Sequence, residues 1–245
     1  MVDPVAFSLG PLQIRWYGIL LAIGFYLGYL LLRRIGRERN IEEGVIEDLF
    51  LWLVPASIVG ARLFEVVVYE PSYYFSNPLK IVAVWEGGLA SHGGFLGALT
   101  AVFLVAKKHK VGFYKLADLV PVPFFVGAAL GRVGNFINGE LVGKVSSLPW
   151  AVSFSGYEGL RHPSQIYEAL KNALLAAVFW NIRKINLPDG CLFWLGVGAY
   201  SLLRFVVEFW KDLPIYYSLT VAQWLSLPLV LISAFMFYRL KKRSA

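Results

Sequence analysis

The chain has 245 residues, 58% hydrophobic and only 16% charged, with a mean hydropathy of +0.60. Soluble domains carry about 25% charge, so a water-facing surface would be short of ionic groups; eight Trp, thirteen Tyr and eighteen Phe exclude a disordered chain, and one cysteine excludes a disulfide scaffold or a zinc ribbon. The net charge of +7 does not read as a nucleic-acid footprint, because fourteen of the 23 Lys and Arg fall in four short clusters, each ending a long apolar run. That is the positive-inside pattern of cytoplasmic loops.

About 20 apolar residues are needed to cross a bilayer core. The pattern predicts an all-α polytopic membrane protein, a single domain over 1–245 with seven transmembrane helices near 14–32, 45–69, 89–106, 116–135, 164–182, 191–209 and 219–238. The basic clusters at Arg33–Arg39, Lys107–Lys115, Arg183–Lys184 and Arg239–Arg243 follow the first, third, fifth and seventh spans. With those loops inside, the amino terminus lies outside and the carboxyl terminus is cytoplasmic.

Small residues mark close helix contacts in the first, third and fourth spans, at Gly24/Gly28, Gly93/Gly97 and Gly127/Gly131. In the second span Arg62 and Glu65 stand three residues apart and share a face, so mutual neutralisation is one reading. An ionised group near the membrane centre costs about 2.5–3.5 kcal/mol, which makes each a functional candidate. Residues 70–88 form an outer arm carrying Pro71 and Pro78. His92 opens the third span; it is either a helix cap or a group that exchanges protons near neutral pH.

The fourth span ends in Gly131-Arg132-Val133-Gly134-Asn135-Phe136-Ile137-Asn138-Gly139-Glu140. Arg132 and Asn135 share a face, and a guanidinium beside amide donors suits a phosphate. The competing reading is an arginine reaching to the interface by its long stem. Residues 136–163 are expected to form a small extracytoplasmic subdomain, with a β-like run at Trp150–Phe154. Arg161-His162-Pro163-Ser164-Gln165-Ile166-Tyr167-Glu168 then opens the fifth span, dense in polar groups.

In the sixth span Tyr200, Arg204 and Glu208 follow at fourfold steps along one stripe. Arg204 lies about 20 Å from Cys191 at 1.5 Å per residue, in the outer half. An Arg204–Glu208 pair tying helices together is one reading. Two arginines at similar depth on different spans favour an anionic ligand in the outer leaflet. Cys191, at the inner end, is far from these groups and is no nucleophile for them.

These blocks together resemble the bacterial prolipoprotein diacylglyceryl transferase family. GRVGNFINGELVG at Gly131–Gly143 is similar to its signature at every fixed position. Arg15-Trp16-Tyr17-Gly18, Gly60-Ala61-Arg62-Leu63, His92-Gly93-Gly94, the segment His162–Glu168 and Arg204–Phe209 follow in family order. One departure is Lys211, where arginine is expected; lysine keeps the charge and loses the planar fork.

The resemblance implies an enzyme of the bacterial inner membrane with its active site toward the outer face. Such an enzyme moves the diacylglyceryl group of phosphatidylglycerol to the lipobox cysteine of a prolipoprotein signal peptide. Arg132 would hold the phosphate, Arg204 would neutralise the leaving group, and the thiol would be activated either by His92, the base candidate, or by the field of the arginines alone. Asn135, Glu140, Tyr17 and Tyr200 would orient the head group, while Glu208 positions Arg204. The expected partners are phosphatidylglycerol, the prolipoprotein and membrane lipids, with no nucleic acid, metal or cofactor. From residue chemistry alone, a seven-span transporter or lipid-binding protein without covalent chemistry stands as the alternative.

Overall fold

The computed structural model, which describes residues 3–10 and 12–243, has an apolar core and also leaves exposed many large apolar side chains that a soluble protein would bury. Leu231 is 71% exposed and Leu51 66%, while Glu168 and Glu208 are 1% exposed. Apolar side chains on the outside of helices have no place in water but are at home against lipid. The protein is an α-helical membrane protein.

The chain divides into two units, one built from the residues up to Leu31 together with those from Asp118 onward, the other from Leu32–Ala117. In the first, β1 (Val5–Leu9) pairs antiparallel with β2 (Leu12–Arg15), which runs directly into α1 (Trp16–Glu38). The later part of α1 belongs to the second unit. There follow α2 (Glu43–Phe64), a π-helical turn at Glu65–Tyr69, α3 (Pro71–Ser76) and two 3-10 turns at Pro78–Val82 and Val84–Glu86. Then come α4 (Ser91–His109) and α5 (Phe113–Ala117).

The first unit resumes with α6 (Pro121–Asn138), β3 (Val152–Ser153) paired to β4 (Leu160–Arg161), α7 (Ser164–Ile182), α8 (Cys191–Val207), a 3-10 turn at Glu208–Trp210, and α9 (Val221–Arg243). Helix α6 packs on α7, and α8 on α9. Pro121 sits in the first turn of α6, where its missing N–H is not needed. Gly139 ends that helix at φ +70°, a conformation glycine adopts without penalty.

Among the described residues, five helices are long and apolar enough to cross a membrane: Trp16–Glu38, Glu43–Tyr69, Phe113–Asn138, Cys191–Trp210 and Val221–Arg243. The other two expected spans are helical as α4 and α7, at 19 residues each, but are less apolar. Helix α4 begins Ser91-His92-Gly93-Gly94 and ends Lys107-Lys108-His109, which leaves a short apolar middle. Helix α7 carries Gln165, Glu168, Lys171 and Asn172, all of them buried. Its polar groups are shielded by protein, so its composition understates what a bilayer would meet.

In the second unit α2 crosses α4 on small residues. A methyl group on Gly60 would stand 2.9 Å from Gly97 Cα, and one on Gly93 would strike Gly60. The small pair Gly93/Gly97 therefore does what its spacing implies. In the first unit a methyl on Gly24 would touch Gly127 Cα at 3.4 Å, whereas nothing lies within 4 Å of one on Gly131. A methyl on Gly127 would likewise meet nothing within 4 Å, so the contact needs the small residue at Gly24 and at neither member of that last pair.

Arg62 departs from the expected pairing. Its guanidinium donates to the carbonyls of Lys80 (2.6 Å), Ile81 (2.9 Å), Ala83 (2.8 Å), Gly87 (2.5 Å) and Gly88 (2.9 Å) and to the Tyr74 hydroxyl (3.1 Å). Among the described residues it forms no ion pair with Glu65. The reason is geometric: five carbonyls of irregular backbone converge at one point, and only a fork with five N–H donors can serve them.

Candidate active site

Helix α6 delivers Arg132 and Asn135 to one face because they are three residues apart. Arg132 Nη1 donates to Asn135 Oδ1 at 3.3 Å, and Asn135 Nδ2 donates to Glu140 Oε2 at 3.1 Å. Asn138 Nδ2 donates to Glu140 Oε1 at 3.2 Å. The left-handed turn at Gly139 is what swings the Glu140 carboxylate back to both amides. The backbone carbonyl of Glu140 accepts from Gln165 Nε2 at 2.6 Å, which fixes this turn to the start of α7. The amide of Asn135 therefore separates the cation of Arg132 from the anion of Glu140.

Tyr17 lies against this helix. A methyl on Gly134 would meet the Tyr17 ring at 2.7 Å, so the signature glycine is a seat for the aromatic ring. Beside it an open, shallow cleft of about 610 Å³ is lined by Gln13, Arg15, Tyr17, Gly18, Ile19 and Asn138. The cleft thus borders both Tyr17 and the end of α6.

On α8 the guanidinium of Arg204 donates to the Tyr200 hydroxyl at 3.2 Å. Tyr200 lies in the fields of Arg204, Lys171 and Arg132 together, which places the stripe of α8 in one electrostatic cluster with α6 and α7. Among the described residues Glu208 makes no ion pair with Arg204, although the guanidinium lies in its field. Its carboxylate is met by Lys211 Nζ at 2.9 Å and accepts from the Thr220 hydroxyl at 3.3 Å. Lys211 Nζ also stands 2.7 Å from Glu168, whose other oxygen accepts from Lys171 at 2.5 Å.

Glu168, Lys171 and Lys211 are the members that sequence reasoning passed over. Glu168 counted only as part of a motif, Lys211 as a departure, and Lys171 not at all. The signal was present: Lys171 follows Glu168 by three residues within an expected membrane span, the same spacing as Arg62 and Glu65.

The segment between α6 and α7 folds back on the end of α8. Gly143 pairs with Lys211, Lys144 N–H donates to the Trp210 carbonyl at 2.9 Å, and Arg161 Nη1 donates to Asp212 at 2.7 Å. A methyl on Gly143 would lie 2.5 Å from the His162 carbonyl and 2.6 Å from that of Trp210. No residue but glycine fits there. The Tyr167 hydroxyl accepts from Trp150 Nε1 at 2.8 Å and lies 3.1 Å from His162 Nδ1, so His162 belongs to this anchoring network.

His92 belongs to the other unit. Its Nδ1 lies 3.3 Å from the Tyr69 hydroxyl at the end of the π-turn, and its ring lies 6.0 Å from that of Phe64. Cys191 is fully buried at the first turn of α8, where Asp118 accepts the N–H groups of Gly190 (2.9 Å) and Phe193 (2.7 Å). That carboxylate caps the helix from outside its own chain segment.

Known proteins are similar to this chain along most of its length. The family described as prolipoprotein diacylglyceryl transferase matches residues 4–239. A phosphatidylglycerol–prolipoprotein diacylglyceryl transferase of Geobacter sulfurreducens is 43% identical, with 86% of this chain and 83% of its own covered. A protein of the same name from Bordetella parapertussis is 41% identical, covering 95% and 93%. One from a Wolbachia of Drosophila simulans is 39% identical, covering 94% and 92%. The chain belongs to the prolipoprotein diacylglyceryl transferase family.

Proposed function

We propose that the protein transfers the diacylglyceryl group of phosphatidylglycerol to the lipobox cysteine of a prolipoprotein. The sulfur attacks the glycerol carbon that bears the phosphate. A C–S bond forms, the C–O bond breaks with its electron pair going to oxygen, and glycerol phosphate departs. The thiol proton goes to a base, for which His92 is the candidate.

The observation that carries this reading is the Arg132–Asn135–Glu140 chain, in one electrostatic cluster with Arg204. Arg132 holds the phosphate, and Arg204 neutralises charge that grows on the leaving oxygen. Tyr17, Asn135, Glu140 and Tyr200 orient the head group. Glu208 acts through Lys211, in keeping with its contacts. The nucleophile arrives with the peptide, so the enzyme needs none of its own, in accord with the burial of Cys191. Family membership supports chemistry over the transporter alternative, which nothing favours.

The same reading places α4 and α7 across the bilayer with the five more apolar helices, giving seven spans with the carboxyl terminus cytoplasmic. Residues 70–88 form an outer arm and 136–163 a small outer subdomain, with the active site toward the outer face of the bacterial inner membrane. The partners are phosphatidylglycerol, a prolipoprotein signal peptide and the surrounding lipids.

The deciding assay incubates purified protein with labelled phosphatidylglycerol and a lipobox peptide. A peptide mass gain of one diacylglyceryl group, with release of glycerol phosphate, is expected. Lipid binding with no covalent product would return the protein to the transporter or lipid-binding class.

A further inference from the structure

Within electrostatic reach of the two arginines lies a ladder of four buried ionic groups. Lys171 Nζ donates to Glu168 at 2.5 Å; Lys211 Nζ stands 2.7 Å from Glu168 and 2.9 Å from Glu208. Their side chains are 4% (Lys171), 8% (Lys211), 1% (Glu168) and 1% (Glu208) exposed. Two ammonium groups offset two carboxylates, so the ladder is neutral. Lys171 also lies 4.2 Å from the centre of the Tyr200 ring, the residue that receives Arg204.

Arg132 and Arg204 have neutral partners only. They donate to the Asn135 side-chain oxygen and the Tyr200 hydroxyl, and among the described residues neither forms an ion pair. Both nevertheless lie within electrostatic reach of the ladder: Arg132 acts on Glu168, and Arg204 feels Glu208 and Glu168. In a low-dielectric site a carboxylate without its own cation pairs with the nearest guanidinium, because such charge-assisted bonds are strong.

We propose that Lys171 and Lys211 are positioning residues that occupy the two buried carboxylates and so keep Arg132 and Arg204 free for a phosphate. The inference rests on the reading that these arginines bind the phosphate of phosphatidylglycerol. It adds a reason for the ladder that packing alone does not supply. With the carboxylates engaged, the arginines present two uncompensated positive charges. A phosphodiester carries one negative charge, and a departing phosphomonoester carries about 1.5 to 2. The match therefore improves as the C–O bond breaks, which favours the transition state over the bound lipid.

The test uses the full chain in detergent micelles, with glycerol 3-phosphate as the binding probe in a thermal-shift titration. Transfer from phosphatidylglycerol to a lipobox peptide is measured alongside. Lys171→Met leaves one carboxylate in excess and is expected to weaken probe binding and turnover about tenfold or more, the scale of a charged hydrogen bond. Glu168→Gln/Lys171→Met removes the excess charge and is expected to return both to within about threefold of the parent, since a neutral pair can replace a buried ion pair. If the single variant does not fold, the double variant decides alone. Unchanged binding in Lys171→Met, or a folded double variant that binds poorly, overturns the role of the lysines. Arg132→Ala tests the underlying phosphate reading separately: retained probe binding there overturns that reading whatever the lysine variants show.

Discussion

Gly60 of α2 faces Gly97 of α4 so closely that a methyl group on the first would stand 2.9 Å from the Cα of the second. The contact is backbone against backbone, so no side chain can rotate away. Gly60→Ala is expected to cost about 1–3 kcal/mol through overpacking. Gly131→Ala, where nothing lies within 4 Å of the added methyl, is the matched control and should change stability by less than about 0.5 kcal/mol. Thermal unfolding in one detergent compares the two, and equal effects would remove the close-crossing account.

Arg62 is a single cation serving five carbonyls between Lys80 and Gly88. Lysine has three donors and no fork, so Arg62→Lys leaves some of those carbonyls unmet, at about 1–3 kcal/mol for each that is buried. The loss falls on an exposed segment, with Leu79 at 87% and Trp85 at 78%. Faster cleavage between residues 78 and 88 by a protease in detergent solution is expected for Arg62→Lys, with the rest of the chain still resistant. Unchanged cleavage would show that the arm holds itself together without Arg62.

The helical stretches, their order and the small-residue crossing through Gly93 and Gly97 were legible because they are local. Apolar runs, glycine spacing and basic clusters each act within a few turns of the chain. Partnerships were less legible, because they depend on which elements meet. Arg62 and Glu65 share a face, yet Arg62 is taken by backbone 18 to 26 residues away. Arg204 and Glu208 are spaced to pair, yet Lys211 and Thr220 claim the glutamate. Spacing states which groups can meet on one helix, not which neighbour offers the better bond. The Arg132–Asn135 contact was readable since no second element enters it.

The basic clusters that end α1, α4, α7 and α9 place those ends in the cytoplasm if seven helices cross. A reporter fused after Ala245 should then read as cytoplasmic, and a tag ahead of Met1 should be reachable from outside. A carboxyl-terminal reporter found outside would remove α4 or α7 from the spans, since either loss changes the parity.

Cys191 is buried at the first turn of α8, beside the Asp118 cap and away from the Arg204 end of that helix. Cys191→Ser should therefore keep transferase activity while costing a modest amount of stability, about 1 kcal/mol for a buried hydroxyl that finds a partner. Turnover measured per folded molecule checks this. Loss of turnover in a stable variant would mean that the enzyme supplies a thiol of its own.

Arg132 should be the least replaceable residue of the site. Its contact with Asn135 uses one nitrogen at 3.3 Å and leaves most of the fork available to a ligand. A phosphate held by two parallel N–H groups needs both charge and planarity, and lysine supplies only charge. Removing such donors from a low-dielectric site costs about 3 kcal/mol, on the order of a hundredfold in rate. Arg132→Ala is expected to abolish transfer, and Arg132→Lys to retain a small fraction. Asn135→Ala, which uncouples Arg132 from Glu140, should fall between them, because the cation survives but loses its aim. Single-turnover transfer to a lipobox peptide, with variants matched for thermal stability, ranks the three. His92→Asn belongs in the same series: a milder loss than Arg132→Ala means that the positive field of the arginines lowers the thiol pKa enough to generate the thiolate, whereas an equal loss assigns the proton to His92. Near-normal turnover in Arg132→Ala would reduce that residue to an interfacial anchor and take the phosphate clamp with it.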